Sequence, residues 1–140
     1  IHAAQEQNEY EGVYCGIKTL PIQVKTVALA CVRDIKNNKK NGDKESTAST
    51  VYQEYQNLCK SRGTQPLTQR RITDILNELG FMGLINCTLV FNTPHKGRNK
   101  LIECSVDPAR IEKTITDEDA FSMFKPVIVQ AKLFEKFLLD

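Results

Sequence analysis

Up to Leu79, the apolar side chains of this 140-residue chain recur at intervals of three and four; beyond Gly83 they come in short β-branched and aromatic runs. That change of period constrains the fold more than any other feature, because helices repeat every 3.6 residues and strands every two. Ahead of it, Val51, Tyr52, Tyr55, Leu58 and Cys59 form one stripe, capped by Thr47 or Ser49 and ended by Gly63. After the turn Thr64-Gln65-Pro66, Thr68 caps a helix with Ile72, Ile75, Leu76 and Leu79 inward, broken by Gly80 and Gly83. Beyond it, Leu84 to Asn92 and Leu101 to Val106 read as strands around TPHKGRNK, a turn-forming and basic tip.

The flanking segments read as helical. Tyr10, Val13, Tyr14 and Ile17 share a helical face in a leading segment. Val24, Val27, Ala28, Cys31, Val32 and Ile35 predict a core helix from about Pro21 to Asn37, and the polar stretch 37–46 predicts a loop. Asp107-Pro108 opens a short helix with Ile111 and Ile115 inward. Thr116 is expected to cap another helix at Asp117-Glu118-Asp119, with a further one after Pro126 carrying Val127, Val129, Ala131, Phe134, Phe137 and Leu138. The expected fold class is mainly α with a β-hairpin, a winged helix-turn-helix. Its parts are a leading helix over 1–18, the winged helix over 19–115 and a helical extension over 116–140.

Composition allows such a domain. A chain of this size buries about 70% of its unfolded surface, and 41% apolar with 26% charged residues are globular values. Cys15, Cys31, Cys59, Cys87 and Cys104 contain no Cys-x-x-Cys pair and lie far from His2 and His95. Buried free thiols in a reducing compartment are therefore expected, with no metal ligands. No apolar run reaches the roughly 18 residues of a membrane span, and no signal sequence precedes the first helix, so a soluble intracellular protein is expected. A start at Ile1 suggests a fragment or processed product. No nucleophile, base and orienting group can be assembled, so catalytic residues are expected to be none and the chain is read as not an enzyme.

Charge is where function shows. The net charge of +2 divides into +5 over residues 60–100 (Lys60, Arg62, Arg70, Arg71, Lys96, Arg98 and Lys100 against Asp74 and Glu78) and −3 over the remainder. In a winged helix the second helix of the pair enters the major groove of DNA and the wing reaches a neighbouring groove. The candidate contacts are Thr68, Gln69, Arg70, Arg71, Thr73 and Asn77 on the recognition helix, and His95, Lys96, Gly97, Arg98, Asn99 and Lys100 on the wing. Arginine suits guanine, and asparagine or glutamine suits adenine. Lys36, Lys39, Lys40 and Lys44 are read as solvated, and Arg70 or Arg71 could instead pair with Asp74 across one turn.

The segment VYQEYQNLCKSRGTQPLTQRRITDILNELGFMGLIN, followed by Gly97-Arg98, resembles the C-terminal winged-helix domain of archaeal replication initiators, relatives of the eukaryotic origin-recognition and cell-division-control proteins. Upstream, LPIQVKTVALACV resembles that family's first domain helix, and the matching motifs cover about 85 residues in order. The resemblance implies sequence-selective binding of double-stranded origin DNA, with the recognition helix in the major groove and the wing in or near the minor groove. It also implies an adjoining AAA+ ATPase part, linked through residues 1–18. ATP and magnesium belong to that part, since no G-x-x-x-x-G-K-[ST] loop occurs here; no cofactor is expected in this chain. The wing departs from the family's glycine-rich tip, and the segment after Ile115 extends past the family's usual end. Location would be cytoplasmic and nucleoid-associated, or nuclear in a eukaryote. Two alternatives stand beside this reading. One is a protein-docking module for the replicative helicase or another initiator subunit, through its fold or its acidic tail; the other is a winged-helix transcription regulator.

Overall fold

The computed structural model describes residues 12–42, 44–91 and 98–124. Five helices and one hairpin follow in order: α1 (12–18), α2 (Ile22–Lys40), α3 (Ala48–Arg62), α4 (Gln69–Phe81), β1 (Ile85–Phe91), β2 (Arg98–Cys104) and α5 (Pro108–Thr116), then a 3-10 turn over Asp119–Phe124. This is the expected winged helix. The part of the leading helix before residue 12, the wing residues His95, Lys96 and Gly97, and the helix expected after Pro126 lie outside the described residues.

The core forms around α2, in which every residue from Val24 to Val32 is buried. The spacing of Val24, Val27, Ala28, Cys31 and Val32 predicts a single inward face, but Lys25, Thr26, Leu29 and Ala30 are buried as well. The second face is covered because α5 also packs on α2, and the 3-10 turn meets it through Phe124 at Arg33. Glu118 binds Lys25 Nζ through both carboxylate oxygens, at 2.8 and 2.7 Å, and Glu112 binds Lys36 Nζ at 2.8 Å. Arg33 donates to the Phe124 carbonyl at 2.6 Å and lies over its ring. A buried lysine is tolerated only when its charge is paired, and Glu118 supplies that pairing.

Several sequence expectations are corrected at the element ends. Helix α2 runs on to Lys40 and takes up the first residues of the expected loop; the Asn37 carbonyl accepts from the Asn41 N–H at 3.0 Å, and Asn38 Nδ2 reaches Ser46 Oγ at 2.8 Å. Thr47 alone caps α3, in a reciprocal capping box with Thr50. Gly80 does not break α4, which ends at Phe81; Gly83, at φ 83°, makes the turn into β1. Thr116 does not start a helix but ends α5, its hydroxyl donating to the Glu112 carbonyl at 2.7 Å. Of the five thiols, Cys31 and Cys59 are buried, Cys87 and Cys104 are half-buried and Cys15 is exposed, against the expectation that all are buried.

The hairpin is a two-stranded antiparallel ribbon with Ile85 opposite Cys104 and Phe91 opposite Arg98. Its root is held twice on the outer edge of β2, by a bridge from Thr47 to Leu101 and by the Ile102 N–H donating to Ser46 O at 2.9 Å. Strand β2 starts at Arg98 rather than at Leu101, so Arg98, Asn99 and Lys100 belong to the strand and not to the turn. Pairing with Leu89, Val90 and Phe91 carries the ladder past the apolar run that the sequence shows.

Two tyrosines fix the turn between α3 and α4. Tyr55 accepts from the Leu67 N–H at 3.1 Å and donates to Gln23 Oε1 at 2.7 Å, while Tyr52 donates to the Leu67 carbonyl at 3.1 Å. Both backbone groups of Leu67 are thereby satisfied by side chains of the preceding helix. Burial pushes the Tyr55 phenol up to about 12 and the Cys104 thiol up to about 11. The unfolded chain releases these protons at lower pH than the fold does. Stability is therefore fully present below about pH 9 and declines as pH rises through 9 to 12. Denaturant unfolding of Tyr55→Phe is expected to show a loss of about 1–2 kcal/mol, since the Leu67 N–H and Gln23 lose their partner, and a shallower decline in the upper part of that pH range.

Candidate nucleic-acid interface

Helix α4 presents its polar face because Ile72, Ile75, Leu76 and Leu79 all face the core. At 100° per residue this leaves Arg70, Asp74 and Asn77 outward, and these three, with Gln69 and Arg71, are exposed. Thr68 is the N-cap, accepting from the Arg71 N–H at 3.3 Å. Thr73, half-buried, donates its hydroxyl to the Gln69 carbonyl at 3.0 Å. Asn77 Oδ1 accepts from Lys100 Nζ of β2 at 2.8 Å. Of the six expected recognition-helix residues, Gln69, Arg70 and Arg71 are thus the ones whose side chains form no bond among the described residues.

The first turn of α4 contains no acidic residue. Two arginines there stand at the positive end of the helix dipole, an arrangement that costs an exposed helix about 0.3–1 kcal/mol per charge. Neither Arg70 nor Arg71 makes an ion pair with Asp74 or with any other described residue, so none of the described acids compensates them. An external anion would. An exposed helix N-terminus with its N–H groups and two arginines is chemically suited to an anion.

The structure also removes a residue from the basic face that the sequence delineates. Arg62 lies over the Phe121 ring at 4.8 Å and donates to Thr26 Oγ1 at 3.4 Å, so it points to the tail side of the domain. Its position in sequence, eight residues before Arg70, gave no sign of this, because Phe121 is brought to it only by the fold. Of the expected wing residues, Arg98 and Asn99 are placed on β2 and Lys100 is half-buried at the junction with α4. The Tyr52–Tyr55 clamp on Leu67, which sets where the α4 N-terminus begins, is the positioning device that sequence reasoning treats only as core. The hydroxyls of two tyrosines three apart, just ahead of a turn, are its sole sequence signal.

Elsewhere, a cavity of about 430 Å³ lies between the end of α2, residues 44–46, the end of β2 and Pro108, with Lys39, Lys44, Glu45 and Glu103 at its rim. It is at the end of β2 away from the wing and takes no part in the α4 face. Among the described residues, no three of His, Cys, Asp or Glu gather as metal ligands, and no helix is long and apolar enough to cross a membrane.

Comparison with known proteins points the same way. The family model described as the CDC6 C-terminal winged helix domain matches residues 16–114. The ORC1-type DNA replication protein of Pyrococcus abyssi is 40% identical over 111 residues, which cover 79% of this chain and 25% of that protein. That of Picrophilus torridus is 34% identical over 135 residues, covering 95% of this chain and 32% of its own length. The chain therefore spans about a quarter to a third of these relatives. Among solved structures, the Aeropyrum pernix Orc1 protein in complex with DNA superposes with a TM-score of 0.74 at 21% identity, covering 88% of this chain and 31% of that one. Cdc6p from Pyrobaculum aerophilum gives a TM-score of 0.53 at 24% identity, over 78% and 26% of the two chains. At these identities the two structures speak for the fold.

Thr68→Ala is expected to cost about 1 kcal/mol in denaturant unfolding, through loss of the cap. Arg70→Ala and Arg71→Ala are expected to leave the unfolding free energy unchanged or slightly raised, because each removes a cation from the positive end of a helix.

Proposed function

Because the chain belongs to the family of CDC6 C-terminal winged-helix domains, we propose that it binds double-stranded DNA at replication origins through the α4 face and the hairpin. The observation that carries this reading is the acid-free first turn of α4, with the Gln69, Arg70 and Arg71 side chains exposed and without partners among the described residues. The Aeropyrum pernix Orc1 protein, which shares the fold, has been determined in complex with DNA. Helix α4 would enter the major groove with its N-terminal residues toward base edges, and the hairpin would lie in or near the minor groove. Arg70 and Arg71 supply bidentate donors for guanine or phosphate, and Gln69 offers the paired donor and acceptor that adenine matches. Lys96 and Arg98 add phosphate affinity that carries no sequence information.

In this reading the segment is a non-catalytic binding module. It needs no cofactor of its own; ATP and magnesium would be handled by the AAA+ part that the family resemblance implies. Helicase or initiator partners would meet surfaces other than the α4 face, such as the acidic tail.

Titration of the full chain against origin-like and scrambled duplexes at several salt concentrations tests the reading. The expected result is a preference for the origin-like duplex and a linear fall of log K with log salt. The Lys96→Ala/Arg98→Ala pair should weaken binding to both duplexes and flatten the slope by about 0.9 for each phosphate contact removed. Arg70→Ala/Arg71→Ala should narrow the gap between the duplexes. Negligible binding to both at low salt would move the domain to protein docking.

A further inference from the structure

We propose that Asn77 and Lys100 form a positioning pair that fixes the angle between the recognition helix and the wing, in place of the two independent DNA contacts that the sequence suggests. The proposal rests on the DNA-binding reading above and deepens it.

The geometry follows from the strand period. Side chains two apart on a strand share a face, so Lys100 stands on the same face of β2 as Ile102, which is buried against the helices. Lys100 is the next core-facing position toward the tip, where the apolar floor has ended. Its ammonium reaches across to α4 and donates to Asn77 Oδ1 at 2.8 Å. The neighbouring contact is consistent with a close junction at this level. Cys87, opposite Ile102 in register, lies with its sulfur 3.9 Å from the Leu76 carbonyl of α4, and the Lys100 charge opposes the rise that burial causes in the Cys87 thiol.

A two-stranded ribbon is marginal by itself and twists freely. Here its root is fixed at Leu101 and Ile102 by residues 46 and 47, on the edge away from β1. Those bonds tie the hairpin to the start of α3 and say nothing of its angle to α4. Lys100–Asn77 is the side-chain hydrogen bond between β2 and α4, and among the described residues it is the bond from hairpin to helix that lies nearest the tip. DNA binding through two grooves requires helix and wing to be held at one relative orientation, and any freedom there is lost on binding. An ammonium engaged by Asn77 also cannot present its full set of donors to a phosphate.

The test uses wild type, Asn77→Ala, Lys100→Met and the double variant of the full chain, with one duplex over a range of salt. If the two residues act as one device, each single variant weakens binding about 5-fold and the double variant also by about 5-fold, with the salt slope unchanged. Lys100→Arg, which keeps a donor for Asn77, should recover most of the loss. Without DNA, NMR relaxation of the Asn99, Lys100 and Leu101 amides should show the same gain in motion in both single variants. Losses that multiply to about 25-fold in the double variant would mean separate contacts and overturn the proposal. A fall of about 0.9 in the slope for Lys100→Met would make Lys100 a phosphate ligand and overturn it too. Wild-type protein that binds no duplex would instead defeat the DNA-binding reading, an outcome distinct from either of these.

Discussion

The structure depends on the burial of α2 along its whole middle. Every residue from Val24 to Val32 is buried, so several elements must pack on one helix, and α3, α4, β2 and α5 each do. A helix buried on all sides needs its polar groups answered. Lys25 is met by Glu118, Lys36 by Glu112, and Asp34 by Thr50 and Asn38, at 2.7 and 3.3 Å. These pairs direct the acidic residues after β2 back onto α2, and they draw Arg33 and Arg62 toward Phe124 and Phe121. Four cations of the α2–α3 region, Lys25, Arg33, Lys36 and Arg62, are thereby engaged within the domain, whereas Arg70 and Arg71 on α4 pair with no described residue.

Two kinds of interaction then divide the labour at the α4 face. Apolar burial of Ile72, Ile75, Leu76 and Leu79 fixes which side of the helix is outward. Hydrogen bonds of the neighbouring elements fix where the helix begins and how the hairpin meets it. Tyr52 and Tyr55 hold Leu67, Thr68 caps the first turn, and Lys100 reaches Asn77. Each spares the exposed arginines a structural duty, which is what leaves them available to a partner. A charged residue serves recognition best when the fold does not need it, because its desolvation is then balanced by the ligand alone.

Much of this could be read from the chain. The stripes of α3 and α4, the caps Thr47, Thr68 and Asp107, and the strand-like runs around a polar turn each have a local cause, so they were legible residue by residue. The misread positions share a different trait. Arg62 reads as part of a basic surface, yet its partner Phe121 lies 59 residues on. Thr116 reads as a cap, yet it ends the previous helix with its hydroxyl on the Glu112 carbonyl, and Glu118 just beyond is held by Lys25 across the domain. Strand β2 begins at Arg98 because β1 pairs with it there, which composition cannot reveal in a polar stretch. Asn77 and Lys100, separately legible as polar and exposed, give no local sign that they meet.

By itself, then, the sequence determined the order of elements, the direction of the α4 face and the excess of positive charge between residues 60 and 100. These follow from spacing and capping, which act over a few residues. Only the tertiary structure decided which cations remain free, because that depends on groups far apart in the chain arriving at hydrogen-bond distance. Arg62, Arg33, Lys25 and Lys36 are engaged on the tail side and Lys100 at the junction with α4, while Arg70 and Arg71 stand in an acid-free first turn and pair with no other described residue.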